Sequence, residues 1–267
     1  MDSQAGEAIS DPTPKLRTYF CASNFLIPDL DHVKKQCTGE NKKVHWAGVT
    51  IVRISSMVVV KFGTRVTVTE AKSIIYVAQN SKVPVPEVFA CCTYGPIDRE
   101  IEDYDSLFDT YIFMSFVDGQ TLDTVWNNFD QLTKRRIASR LKEYIDNLRS
   151  MGSMSYIGSV DHGPVTDSIF ATCKVQGPFG FEKEFNEAIV DAYYRTVSRQ
   201  HIQKFLSGMI GHKERRILFA HGKAAEHHVL GIREVFAAVE MQNDWGDYLL
   251  DILQPYYNEY AFYSFVS

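Results

Sequence analysis

At 267 residues the chain is long enough for one large domain or for two lobes sharing a core. Hydrophobic residues make up 45% and charged residues 23%, an ordinary globular balance, and the net charge of −5 argues against a general nucleic-acid binder, which presents a basic face. No stretch approaches the roughly 18 consecutive apolar residues needed to span a bilayer, and the opening "MDSQAGEAISDPTPKLRTYF" lacks the basic-then-apolar layout of a signal peptide. Five cysteines (Cys21, Cys37, Cys91, Cys92 and Cys173) show no C-x-x-C spacing, which disfavours thiolate metal binding and reads as reduced thiols of a cytoplasmic protein.

In chain order, the first 14 residues are polar and proline-containing, the pattern of a loose tail. "KLRTYFCASNFLIPDLDHVKKQCTGENKK" reads as a short helix or two with a charged loop. "HWAGVTIVRI" and "MVVVKFG" are β-branched runs separated by Ser55-Ser56, which predicts a hairpin. "TVTEAKSIIYVAQNS" has helical spacing of Ala71, Ile74, Ile75 and Ala78, with Thr69 as candidate N-cap. The prolines of "VPVPEVFACCTYG" forbid a helix and suit an edge strand or an extended lead-in to one. "DTYIFMSFV" reads as a buried strand of continuous apolar character.

After Gly119 the texture turns helical. "TLDTVWNNF" and "LTKRRIASRLKEYIDNLRSM" place Ile137, Leu141, Ile145 and Leu148 three and four residues apart. A loop rich in Gly, Ser and Asp covers 152–168, and "GPFGFEKEFNEAIVDAYYRTV" and "HIQKFLSGMIG" read as further helices. Two strands, "RILFAHG" and "EVFAAVEM", bracket a polar loop, and "DYLLDILQPYYNEYAFYSF" reads as a closing helix. The expected architecture is α+β, with a strand-rich first part and a helical second part flanking a cleft. The expected boundaries are 1–44 for a tail and helical extension, 45–117 for the first lobe and 118–267 for the second.

The ordered segments "VVVKFG", "EAKSIIYVAQNSKVPVPEV", "YIFMSFVDGQTLDTVW", "GPFGFEKEFN" and "ILFAHG" resemble the aminoglycoside phosphotransferase and choline-kinase-like family, especially its fungal branch, over about residues 45–260. The resemblance implies a two-lobed protein-kinase-like fold, with a small strand-rich N-lobe and a larger helical C-lobe. It also puts Lys61 and Glu70 at the positions of the strand lysine that neutralises nucleotide phosphates and the helix glutamate that holds it. A plain salt bridge joining strand to helix is the competing reading of that pair. Met114 and Phe116 fall in the "FMSFVDGQTL" hinge, where they are expected to line a substrate site.

The resemblance breaks at the catalytic loop "ILFAHGKAAEHHVLGI". The family motif is His-Gly-Asp, four variable residues, then Asn; the Asp accepts the substrate hydroxyl proton and the Asn binds Mg²⁺. This chain keeps His221 and Gly222, has Lys223 at the Asp position and His228 at the Asn position. In "VFAAVEMQNDWGD" the position of the later metal-binding Asp falls on Glu240, with Asp244 the less favoured alternative. A lysine with an ordinary pKa of about 10.4 carries a proton at neutral pH and repels a metal ion. No glycine-rich phosphate loop accompanies it, the hairpin tip being "ISSM". His221, His227, His228 and Glu240 offer metal-type donors, but adjacent His227 and His228 point to opposite sides of an extended chain, so no metal and no cofactor are expected.

Three functions are therefore in competition. In the favoured one the nucleotide chemistry is lost and the cleft holds an apolar small molecule for a [4+2] cyclisation in a terpenoid or polyketide pathway. The resemblance to the fungal branch, which includes secondary-metabolite proteins, implies a relative repurposed as a Diels–Alderase of the kind expected in sordarin-type diterpene biosynthesis. Such a reaction needs positioning and one donor aimed at the dienophile carbonyl; Lys223 is the candidate, with His221 and His228 as alternates. Against it stands a surface lysine, or a lysine salt-bridged to Glu226 or Glu240. The alternatives are a residual ATP-dependent small-molecule kinase, with Glu240 and Asp244 rescuing the metal, and a non-catalytic pseudokinase that binds a partner.

Overall fold

A computed structural model describes residues 13–37, 42–46, 48–100, 106–120, 122–151, 155–165, 175–196 and 219. The chain is α+β. It divides into two compact units, Met1–Tyr76 with Val85–Val117, and Val77–Pro84 with Asp118–Ser267.

The first unit is built on a six-stranded antiparallel sheet. Its strands are β1 (Lys15–Cys21), β2 (Lys42–Trp46), β3 (Val49–Arg53), β4 (Val58–Gly63), β5 (Val88–Gly95) and β6 (Asp109–Ser115), in the spatial order β1-β5-β6-β4-β3-β2. Helices α1 (Leu30–Lys35) and α2 (Val68–Asn80) each contribute to the packing of this sheet. The β3–β4 hairpin turns at the serine pair: Ser55 Oγ accepts from the main-chain N–H of Met57 and Val58, at 3.2 and 3.1 Å.

Directly opposed residues of a ladder share a face, so the register sorts the side chains into two layers. One layer is Val52, Val60, Phe62, Ala90, Cys92, Tyr111 and Phe113, closed by Val33 of α1. Cys91, Ile112, Val88, Val66 and Ala71 of α2 form the other. Burial pushes the thiol of Cys91 up to about 11, with the nearby Glu70 carboxylate adding to it, and that of Cys92 up to about 12. Neither is an available thiolate near neutral pH.

Tyr111 is fully buried and stacks on Phe62 with ring centroids 5.0 Å apart, yet its hydroxyl has no hydrogen-bond partner among the described residues. Burial, then the Asp109 carboxylate, raise its pKa well above the ordinary phenol range. An unpaired buried hydroxyl costs about 1–3 kcal/mol. Tyr111→Phe, which deletes the hydroxyl and keeps the ring, is therefore expected to hold or raise stability by up to about 1 kcal/mol, measured by urea unfolding. A clear loss would mean that the hydroxyl is bonded. Asp109 itself is held by Arg99 at 3.0 Å and by Lys34 of α1 at 3.7 Å.

Four expectations are corrected in this unit. Lys15–Cys21 is a strand and not a helix, because its backbone pairs with β5 although all seven residues are exposed. That pairing places β5 inside the sheet, so it is no edge strand; its prolines lie in the extended lead-in instead. "HWAGVTIVRI" is two strands that turn at Gly48, whose φ of 78° suits glycine. Helix α2 begins two residues earlier than a Thr69 cap predicts: Thr67 Oγ1 accepts from Glu70 N at 3.2 Å, as an N-cap does, and Val77 rather than Ala78 is buried.

In the second unit α3 (Leu122–Val125) runs into a 3₁₀ turn, Trp126–Asn128, followed by α4 (Gln131–Ser150) and α5 (Glu182–Thr196). Asp130 caps α4: its Oδ1 accepts from Thr133 N at 2.7 Å, which holds its carboxyl below the usual carboxylate range. A lowered folded-state pKa means that this cap stabilises α4 above the ordinary carboxylate pKa and is lost as pH falls through the lowered one. Ile137, Leu141 and Leu148 are half-buried, as the helical spacing predicts. Residues 155–165 form turns, and Ile157 bridges Phe179, which packs with Ala188 of α5. The expected helix at 201–211, the two late strands and the closing helix lie outside the described residues, as does most of the N-terminal tail. Among the described residues no helix is long and apolar enough to cross a membrane.

Candidate functional site

Lys61 stands on β4, opposite Ile51 of β3 and Ile112 of β6, so it shares their face of the sheet. Helix α2 covers part of that face. Its Val68, Ala71, Ile74 and Ile75 pack on Val66, Val88, Cys91 and Ile112, fixing both the axial position and the rotation of its first turn. Glu70 sits in that turn, where the helix dipole favours a carboxylate. The outcome is an ion pair, with Lys61 Nζ 2.5 Å from Glu70 Oε1 and the two side chains 24% and 32% exposed.

Partial exposure limits its strength to about 1 kcal/mol. A double-mutant cycle of Lys61→Met and Glu70→Gln is expected to give a coupling of about that size in urea unfolding. Additive effects would contradict the geometry. The pair does more to orient than to stabilise. Glu70 fixes the ammonium over the sheet face, where a phosphate, a carbonyl or a carboxylate oxygen would meet it.

Met114 is buried on β6, opposite Val59 of β4 and Val88 of β5, on the same face as Lys61. Phe116, half-buried just past β6, donates its main-chain N–H to Met57 O at 2.8 Å. The structure thus brings Lys61, Glu70 and Met114 to one sheet face and sets Phe116 at its end. His221, Lys223, His228, Glu240 and Asp244 lie outside the described residues, with Glu226 and His227.

One residue of this face was missed in the sequence. Arg53, on β3 opposite Val59, lays its guanidinium over the Phe116 ring, 3.8 Å from the centroid. Its Nε donates to Ser55 O and its Nη2 to Ser56 O, each at 3.0 Å. Strand alternation from Val49 through Ile51 was the available signal, since it puts Arg53 on the Lys61 face.

Among the described residues no group of three or more His, Cys, Asp or Glu side chains could hold a metal ion. The fold and site define an α+β protein with a strand-lysine and helix-glutamate pair on one face of an antiparallel sheet. Comparison with protein-family models gives no match, and comparison with curated proteins finds no similar chain.

Proposed function

We propose that this chain is a kinase-like protein of the aminoglycoside phosphotransferase type that has lost phosphotransfer and now holds an apolar small molecule for a cofactor-independent [4+2] cyclisation. The observation that carries the reading is a mismatch. Lys61 and Glu70 form an ion pair, as the resemblance to such kinases implies, whereas the segment that the resemblance aligns with their proton-acceptor loop reads His221-Gly222-Lys223.

Lysine at that position reverses the charge where a metal ion would sit, and it accepts no proton at neutral pH. Phosphate wrapping is also poorly served. Gly48 is the only glycine between residues 40 and 62, and its carbonyl accepts from Arg65 N at 3.4 Å. A cycloaddition asks for none of these parts. It needs diene and dienophile held in near-attack geometry, and a cation or N–H donor aimed at the dienophile carbonyl. Lys223 takes the donor role, with His221 and His228 as alternates.

Lys223→Ala is expected to slow the cyclisation of a tethered diene–dienophile terpenoid aldehyde by about 10–10³-fold, as the loss of one transition-state donor does. Wild-type rates would remove Lys223 from the mechanism.

A second reading is favoured by the ion pair itself, because Lys61 and Glu70 are what a nucleotide would need. A residual small-molecule kinase would bind Mg-ATP, with Glu240 and Asp244 as its metal ligands. Calorimetric titration of the full chain with Mg-ATP separates the two. The converted enzyme gives no saturable heat, and a saturable response with transfer of phosphate to a small hydroxyl compound establishes the kinase.

A further inference from the structure

We draw no further inference here: the strongest candidate, the outer edge of the six-stranded sheet at β1, where Leu16, Tyr19 and Phe20 are exposed and the strand pairs among the described residues with β5 alone, is an unpartnered edge blunted by a bulge between Thr18 and Phe20, and nothing in the structure shows what covers it.

Discussion

Gly63→Ala is expected to destabilise the first unit by about 3 kcal/mol or more, enough to leave little folded protein if total stability is ordinary. Two causes add. Gly63 has φ of 138°, a conformation that side chains with a Cβ rarely adopt. A Cβ built there would also lie 2.0 Å from the carbonyl oxygen of Gly48 and 2.9 Å from its carbon. These are backbone atoms of the neighbouring turn, so no rotamer change relieves the clash. The end of β4 and the turn between β2 and β3 must part, and the Arg65-to-Gly48 bond between them is lost. Thermal melting of the purified variant measures the effect, expected as a fall on the order of 10 °C. A variant within a degree or two of wild type would mean that the two backbones are not in contact.

The second large effect is at Phe113. It is fully buried on β6, between Val60 of β4 and Ala90 of β5, and tilts against Phe25 with ring centroids 5.6 Å apart. Phe25 in turn stacks on Phe89 at 5.4 Å, so Phe113 is where the segment leading into α1 is held to the sheet. Truncation to alanine removes a ring from the most enclosed layer and leaves a cavity that rigid strands on both sides cannot collapse. The expected cost is about 3–5 kcal/mol in urea unfolding. Phe113→Leu, which retains most of the volume, is expected to cost roughly half as much. Equal losses for the two variants would show that the ring's volume is not what the layer needs.

The parts of the fold legible in the sequence are those in which burial leaves a periodic signature. "MVVVKFG" and "DTYIFMSFV" sit at the centre of the sheet, covered on both sides, and read as continuous apolar runs for that reason. Helix α2 announces itself by Ala71, Ile74 and Ile75 on one stripe. Strand β1 is the opposite case. All its residues are exposed, so nothing in "KLRTYFC" alternates, and its conformation is imposed by hydrogen bonds to β5, far away in sequence. Missing β1 also left an edge position open for β5, although its prolines do lie in the extended lead-in that their spacing suits.

For the site, the pairing of Lys61 with Glu70 was legible through the family resemblance, and the structure supplies the contact. Arg53 was not legible. A single charged residue ending a β-branched run reads as a solvated strand end, and only the register and the Phe116 ring show that it is held on the Lys61 face. His221, Lys223 and His228 lie outside the described residues, so their reading rests on the sequence alone, as a departure from the motif of the family that the chain resembles.

The central claim is that this chain has exchanged phosphotransfer for cyclisation. Its most direct test follows the intramolecular [4+2] reaction of a tethered diene–dienophile terpenoid aldehyde, measuring rate and stereoisomer ratio with the full-length protein, with and without Mg-ATP and a chelator. The expected result is an accelerated reaction with a shifted isomer ratio that neither nucleotide nor chelator alters. A background rate and ratio across a panel of such aldehydes, together with saturable binding of Mg-ATP, would contradict it.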